Sequence, residues 1–253
     1  MNDGEISGRV ALVTGASSGL GARFARVLAA AGARMALVAR RVDRLDALAE
    51  ELRADGVEVV ALELDVASVP DIRAVAAEVE ARLGPIGILV NNAGISRQSR
   101  AEDVTEEDYD AVFDTNLKGA FFMAQAVARQ MIAHKLEGRI VNIASIAGLR
   151  ALGQLSTYSM SKAAMVQMTK SMAREWGRHG INTNAICPGY IATEISADFL
   201  GTEGGKKLVA SLPRRRMGEP RDLDGLLLLL CAGEASRFIN GSIIAADDGF
   251  TAL

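Results

Sequence analysis

In the stretch Ser156 to Lys162, STYSMSK, a tyrosine stands four residues ahead of a lysine. On a helix these two positions share a face, so the spacing predicts an ammonium close to a phenol oxygen. A free tyrosine titrates near pH 10, too high for ready proton exchange at neutrality, and a neighbouring cation favours the phenolate. Tyr158 therefore reads as a general acid and base, with Lys162 tuning it. Taken alone the pair is commonplace, and it carries chemistry only within a site.

A second group of residues is built for a phosphate. TGASSGLG, Thr14 to Gly21, spaces its glycines as G-x-x-x-G-x-G between a strand-like run and a helical one. Glycine permits the tight turn and the close approach of a pyrophosphate, and the helix N-terminus offers free N–H groups to negative charge. Gly15, Ser17, Ser18, Gly19, Leu20 and Gly21 form this candidate cradle. The absence of a G-K-[ST] ending excludes an ATP-hydrolysing loop. Asp65 and Val66, after the third apolar run, and Asn92, Ala93 and Gly94 in NNAG, after the fourth, fall at the same end of the strands, where such sheets bind ligands. The second run, RMALVARR, ends in Ala39, Arg40 and Arg41. No carboxylate stands where one would take the 2′-hydroxyl of NAD. Arg40, with Arg41 beside it, is placed to clasp a 2′-phosphate. The expected cofactor is NADP(H), with NAD(H) the alternative if Asp43 reaches the ribose instead.

The elements that must position these residues are legible as an alternation. RVALVTG, RMALVAR, VEVVALELDV, IGILVNNAG, GRIVNIAS and INTNAICPG are near-continuous apolar runs, each followed by helical spacing, and GSIIAAD adds a seventh. Strands buried on both faces read this way. We expect an α/β, doubly wound Rossmann sheet of seven parallel strands with helices on both faces, in one domain over residues 1–253. A formal charge of -3 provides no general field for nucleic acid. No apolar run approaches the roughly 20 residues of a membrane span, and MNDGEISGRV lacks the pattern of a secretory leader, so a cytoplasmic protein is expected. Cys187 and Cys231 sit in apolar segments, as reduced buried thiols do, and His134 and His179 have no metal-ligand spacing, so no metal site is expected.

TGASSGLG, NNAG, Asn116 in DTNLKG, Ser145 in NIASIAG, YSMSK and PGYIAT occur in the order found in the short-chain dehydrogenase/reductase family, and the chain resembles that family over essentially its whole length. The resemblance implies a nicotinamide cofactor that carries the hydride between a carbonyl and an alcohol. Tyr158 would exchange the proton, and Ser145 would hydrogen-bond the same oxygen. Lys162 would also contact the nicotinamide ribose, and Asn116 would anchor a water that relays protons to Lys162. Pro188, Gly189, Ile191 and Thr193 would hold the nicotinamide, Thr193 through its carboxamide. One departure bears on the cofactor: Ser18 stands where many NADP-preferring members carry a basic residue.

Residues 190–217 look like the family's substrate lid, with Gly201, Gly204 and Gly205 as hinges. Leu149, Leu152, Leu155, Tyr190, Ile195 and Phe199 are candidate apolar walls, which favours a hydrophobic ketone over a sugar. Arg150, close after Ser145, is a candidate for an anionic substrate group. Arg129 and Arg174 match the docking face of 3-oxoacyl-carrier-protein reductases, which makes that activity the alternative and an acyl carrier protein a further partner. A non-catalytic dinucleotide sensor shares the fold without needing the Asn116, Ser145, Tyr158, Lys162 set. The helix over about 155–178 reads as apolar on more than one side, with Met168 facing outward, and so predicts a homodimer or homotetramer.

Overall fold

The strands form because runs of Val, Ile, Leu and Ala gain most when both faces are covered. In the computed structural model, which describes residues 5–192 and 202–252, β1 (Val10–Thr14), β4 (Ile86–Asn91) and β5 (Gly138–Ile143) are buried at every position. They are flanked by β2 (Arg34–Ala39) and β3 (Val59–Glu63) on one side, and by β6 (Ile181–Pro188) and β7 (Ile243–Ala246) on the other. The order is β3-β2-β1-β4-β5-β6-β7, and all pairings are parallel. The chain reverses its winding direction between β1 and β4, which opens the crevice where ligands sit in such sheets.

Each face carries its own core. Helices α1 (Gly19–Ala30) and α2 (Val42–Ala54) and the leucine-rich α8 (Asp224–Cys231) bury Phe24, Leu28, Leu45, Leu48, Leu227 and Leu230 on one side. On the other, α3 (Val69–Leu83), α5 (Ala120–Ala133) and α6 (Ser156–Trp176) contribute Ile72, Val79, Met123, Val127, Met165 and Met172. The short α4 (Glu106–Phe113) is capped by Thr105, whose side chain accepts from Asp108 N at 3.1 Å, and α7 (Glu203–Ser211) by Thr202, which accepts from Gly205 N at 3.1 Å. Gly204 and Gly205 thus lie in the first turn of a helix, and Gly201 lies outside the described residues.

A buried polar chain locks α6 to the sheet. Asn91 Nδ2 donates to Asn142 Oδ1 at 3.0 Å, and Asn142 Nδ2 donates to Thr169 Oγ1 at 2.9 Å. A satisfied polar network in a core fixes one arrangement of the elements that share it. At the amino ends of the strands, buried Arg139 donates to the carbonyl oxygens of Ala232, Gly138 and Gly233 at 2.9, 2.8 and 2.6 Å. Arg9 does the same to Gly87 and Glu137, both at 2.8 Å.

The long helix differs from its expected outline. It ends at Trp176 in a short turn, Gly177–His179, closed by left-handed Gly180. Gln167, Lys170, Arg174 and Glu175 leave one side polar, and Met168 is only 8 % exposed. Met168 therefore packs inward on the second core, and Met160 is the exposed methionine of this helix.

Candidate active site

The turn after β1 depends on glycine at Gly15, where φ is +66°, and at Gly21, where a Cβ would collide with the Gly15 carbonyl oxygen. Ser18 precedes α1 without a side-chain capping bond, and the first turn of the helix holds no acidic residue. N–H groups without an acidic neighbour suit a phosphate, so the cradle fits a dinucleotide. Thr14 Oγ1 accepts from Asn92 N at 2.9 Å and Ala93 N at 3.0 Å, and Asn92 Nδ2 donates to Thr14 O at 2.9 Å. NNAG thereby ties β4 to the loop, and the side chain of Asn92 acts on the cradle itself. Arg41 donates to Ser17 Oγ at 3.0 Å and also reaches Ser18 Oγ. Sequence reasoning favoured Arg40, but Arg41 is the guanidinium that folds back onto the loop. Asp65, whose Oδ1 accepts from Ala67 N at 3.0 Å, closes the same end of the sheet after β3.

The catalytic candidates meet over the carboxyl ends of β4, β5 and β6. Ser145 follows β5 in an extended conformation, and its Oγ accepts from Ala147 N at 3.1 Å, which leaves its proton free for another acceptor. The turn that follows lies hard against α6: a Cβ on Gly148 would stand 2.7 Å from the Lys162 carbonyl carbon. That contact sets the height of Tyr158 and Lys162 relative to Ser145. Lys162, 3 % exposed, donates from Nζ to Ile143 O at 2.8 Å. Buried Asn116 sits in a π-helical turn, Asp114–Gly119. Its Oδ1 accepts from Ile95 N at 2.8 Å, and its Nδ2 donates to Ile95 O at 2.9 Å and Ser161 Oγ at 3.0 Å. Such widened turns interrupt the α-helical ladder and recur at functional sites.

Burial governs the electrostatics. It pulls Lys162 down to about 8 and pushes the neighbouring Cys187 thiol up to about 11. Burial also raises Tyr158, against the opposing pull of hydrogen bonding with Ser145. The expected lowering of the phenol by Lys162 is therefore not what this arrangement provides. The ammonium is 5.8 Å from the ring centroid and is directed at a main-chain carbonyl. For this partly buried phenol, desolvation outweighs a charge that is not in contact.

A family model described as short chain dehydrogenase matches residues 9–203. The chain belongs to the short-chain dehydrogenase family. It is 38 % identical over 247 residues to gluconate 5-dehydrogenase of Gluconobacter oxydans, covering 97 % of this chain and 96 % of that protein. It is 37 % identical to D-threitol dehydrogenase of Mycolicibacterium smegmatis, covering 98 % and 95 %. The crystal structure of a gluconate 5-dehydrogenase from Burkholderia cenocepacia, in complex with NADP and tartrate, superposes with a TM-score of 0.94 at 36 % identity, covering 100 % of each chain. This short-chain dehydrogenase is thus a nicotinamide-dependent oxidoreductase acting on CH–OH groups, and the sensor reading gives way to an enzyme.

Within the dehydrogenase, the glycine loop, Asp65, NNAG, Ser145, Tyr158, Lys162, Pro188 and Gly189 converge on the crevice. Thr193, Ile195 and Phe199 lie outside the described residues. Of the apolar walls, Leu149 is 43 % exposed, while Leu152, Leu155 and Tyr190 are half-buried. Sequence reasoning missed Ser161, which links Asn116 to the Tyr158 carbonyl, accepting at 3.0 Å and donating at 2.8 Å. It also missed the part played by Ile95, whose only contribution is main chain and which therefore leaves no trace in residue type.

Proposed function

We propose that the protein oxidises a secondary alcohol of a sugar acid or polyol, reversibly, with NADP(H) as its preferred cofactor. The observation that carries this reading is the polar rim of the crevice. Gln98 Nε2 donates to Gln154 Oε1 at 3.1 Å, and Arg97 and Arg150 stand in the same two loops around Leu149 and Leu155. Hydroxyl-rich substrates need donors and acceptors of this kind, because a buried hydroxyl without a partner is costly. Similarity to the gluconate and threitol dehydrogenases supports the same class.

The nicotinamide ring supplies the hydride acceptor and donor when the dinucleotide is bound. Among the protein's own groups, Ser145 donates its free proton to the substrate oxygen and stabilises charge there. Tyr158 takes the alcohol proton in oxidation and returns it in reduction. Lys162, with Nζ near Gly94 and Asn116, passes protons on through the polar pocket that Asn116 holds open. Gly15, Ser17, Ser18, Gly19, Leu20 and Gly21 bind the pyrophosphate, and Arg41, with Arg40 beside it, receives the 2′-phosphate. Of the expected lid, residues 190–192 and 202–217 would cover the substrate.

Reading the change in NADPH absorbance over a panel tests the substrate class. D-gluconate or D-threitol should exceed hydrophobic ketones and 3-oxoacyl thioesters by about tenfold or more in kcat/KM. The reverse ranking would restore the hydrophobic ketone, or the 3-oxoacyl-carrier-protein reductase, as the better assignment. We also read the groove of about 720 Å³ between α5 and α6, lined by Phe121, Ile132, Met168 and Trp176, as the seat of a second copy in a homodimer or homotetramer. Arg129 lies in this same groove, where an acyl carrier protein would compete. Light scattering of Phe121→Glu should show a smaller particle than wild type. Buried, unpaired Cys187 and Cys231 accord with a cytoplasmic enzyme, and no helix among the described residues is long and apolar enough to cross a membrane.

A further inference from the structure

Arg150 differs from the ion-paired arginines of the chain in what holds it. Arg26, Arg82 and Arg97 pair with Glu51, Glu78 and Asp108. Among the described residues Arg150 meets no carboxylate within ion-pair distance. Its guanidinium lies over the ring of Phe250, 4.8 Å from the centroid, and Nη1 donates to Phe250 O at 3.1 Å. Phe250 in turn packs edge-on against Tyr190, with centroids 5.3 Å apart. Tyr190 follows Pro188 and Gly189 at the carboxyl end of β6, and Arg150 follows the Ser145 turn at the end of β5. The cation therefore stands on the rim where these two walls of the substrate crevice meet.

The C-terminal turn is built to hold this arrangement. Asp247 accepts from Gly249 N at 3.1 Å, Thr251 N at 2.7 Å and Thr251 Oγ1 at 2.6 Å, which fixes Phe250 between them. The nearby carboxylate of Asp248 is engaged by Arg214 at 3.2 Å and Arg216 at 3.5 Å. Arg150 is thus oriented by a ring and a carbonyl oxygen, neither of which neutralises it. A guanidinium has five N–H donors in a planar fork matched to a carboxylate, and only one is engaged here.

We propose that Arg150 is a specificity-determining residue that receives the carboxylate of a sugar-acid substrate, and that the C-terminal turn through Phe250 positions it. This rests on the sugar-acid reading of the crevice. The end of the substrate remote from the reacting carbon binds at Arg150, so its charge contributes to substrate binding and to alignment at Ser145 and Tyr158.

The test compares D-gluconate with D-threitol, a neutral polyol, in steady-state kinetics, and measures tartrate as a competitive inhibitor of the NADP-loaded enzyme. Arg150→Gln should lower kcat/KM for gluconate about 10- to 100-fold, chiefly through KM, and weaken tartrate to a similar degree. Threitol oxidation should fall far less than gluconate oxidation, since a neutral polyol loses a rim donor but no ion pair, and Arg150→Lys should recover part of the gluconate loss. Phe250→Ala should move gluconate in the same direction by less. A wild type that oxidises gluconate while Arg150→Gln leaves it unchanged, or weakens both substrates equally, overturns the role of Arg150 and leaves the sugar-acid reading standing. A wild type that neither oxidises gluconate nor binds tartrate removes that reading, and the role of Arg150 with it.

Discussion

Lys162 and Arg139 are both buried cations, 3 % and 2 % exposed, at opposite ends of the same sheet. At the amino end Arg139 directs its fork at three carbonyl oxygens, and no part of the crevice is near it. At the carboxyl end Lys162 has a single hydrogen bond, to Ile143 O, and a pKa pulled down to about 8. A cation held by several fixed acceptors serves as a staple, while one with a single partner is poised to change proton number or accept a new ligand. Burial is nearly equal in the two cases, so the partners distinguish structure from function.

Lys162→Met should show the largest effect, a fall in turnover on the order of 10²- to 10⁴-fold. The fold should gain stability near neutral pH, because the uncompensated charge is gone. Below about 8 the wild type holds a charged lysine in a site that disfavours it. Between about pH 8 and the ordinary lysine value the unfolded chain binds more protons than the native one, so wild-type stability rises with pH there. Urea unfolding across that window should show the rise in wild type, on the order of 3 kcal/mol at most, and its absence in the variant. A variant less stable than wild type at pH 7 would place Lys162 with the staples.

Arg139→Met makes the converse change. It leaves three buried carbonyl groups short of a donor and should cost about 3 kcal/mol or more of unfolding free energy. The kcat/KM of the remaining folded enzyme should hardly change. Loss of catalysis without loss of stability would break the contrast between the two ends.

Arg41 supplies an exposed third case at the carboxyl end. Arg41→Ala should weaken NADP(H) about 10- to 100-fold and leave NAD(H) nearly unchanged, read as the ratio of the two kcat/KM values. The same change at Arg40 should do less, since only Arg41 reaches Ser17 and Ser18. The smallest effect is a shift in pH profile. Oxidation needs the deprotonated phenol, so its kcat/KM should fall as pH drops below the raised value of Tyr158. Removing the Ser145 pull in Ser145→Ala should carry that limb to higher pH, on top of a lower maximum. An unmoved limb in both Ser145→Ala and Tyr158→Phe would assign the titration to another group.

The carboxyl end was largely legible from residue types. The glycine spacing of Thr14 to Gly21, NNAG and the Tyr158, Lys162 pair each declare a local geometry. The amino end was not, because Arg139 in GRIVNIAS reads like any polar residue opening a strand, and two of its acceptors lie 93 and 94 positions away. Arg150 is similar: its anchor, Phe250, is 100 positions on, in a tail with no recognisable pattern.

The sequence by itself determined the periodicities: seven apolar runs alternating with helices, the turn that accepts a phosphate, and the shared face of Tyr158 and Lys162. These follow from steric and hydrogen-bonding rules that act over a few residues. Only the tertiary structure decided what the neighbours of each group are once water is excluded. It turned Lys162 toward Ile143, raised Tyr158, packed Met168 inward and laid Arg41 on the glycine loop. The physical reason is that a proton affinity or a side-chain direction depends on desolvation and on partners from distant segments, and neither is encoded in local spacing.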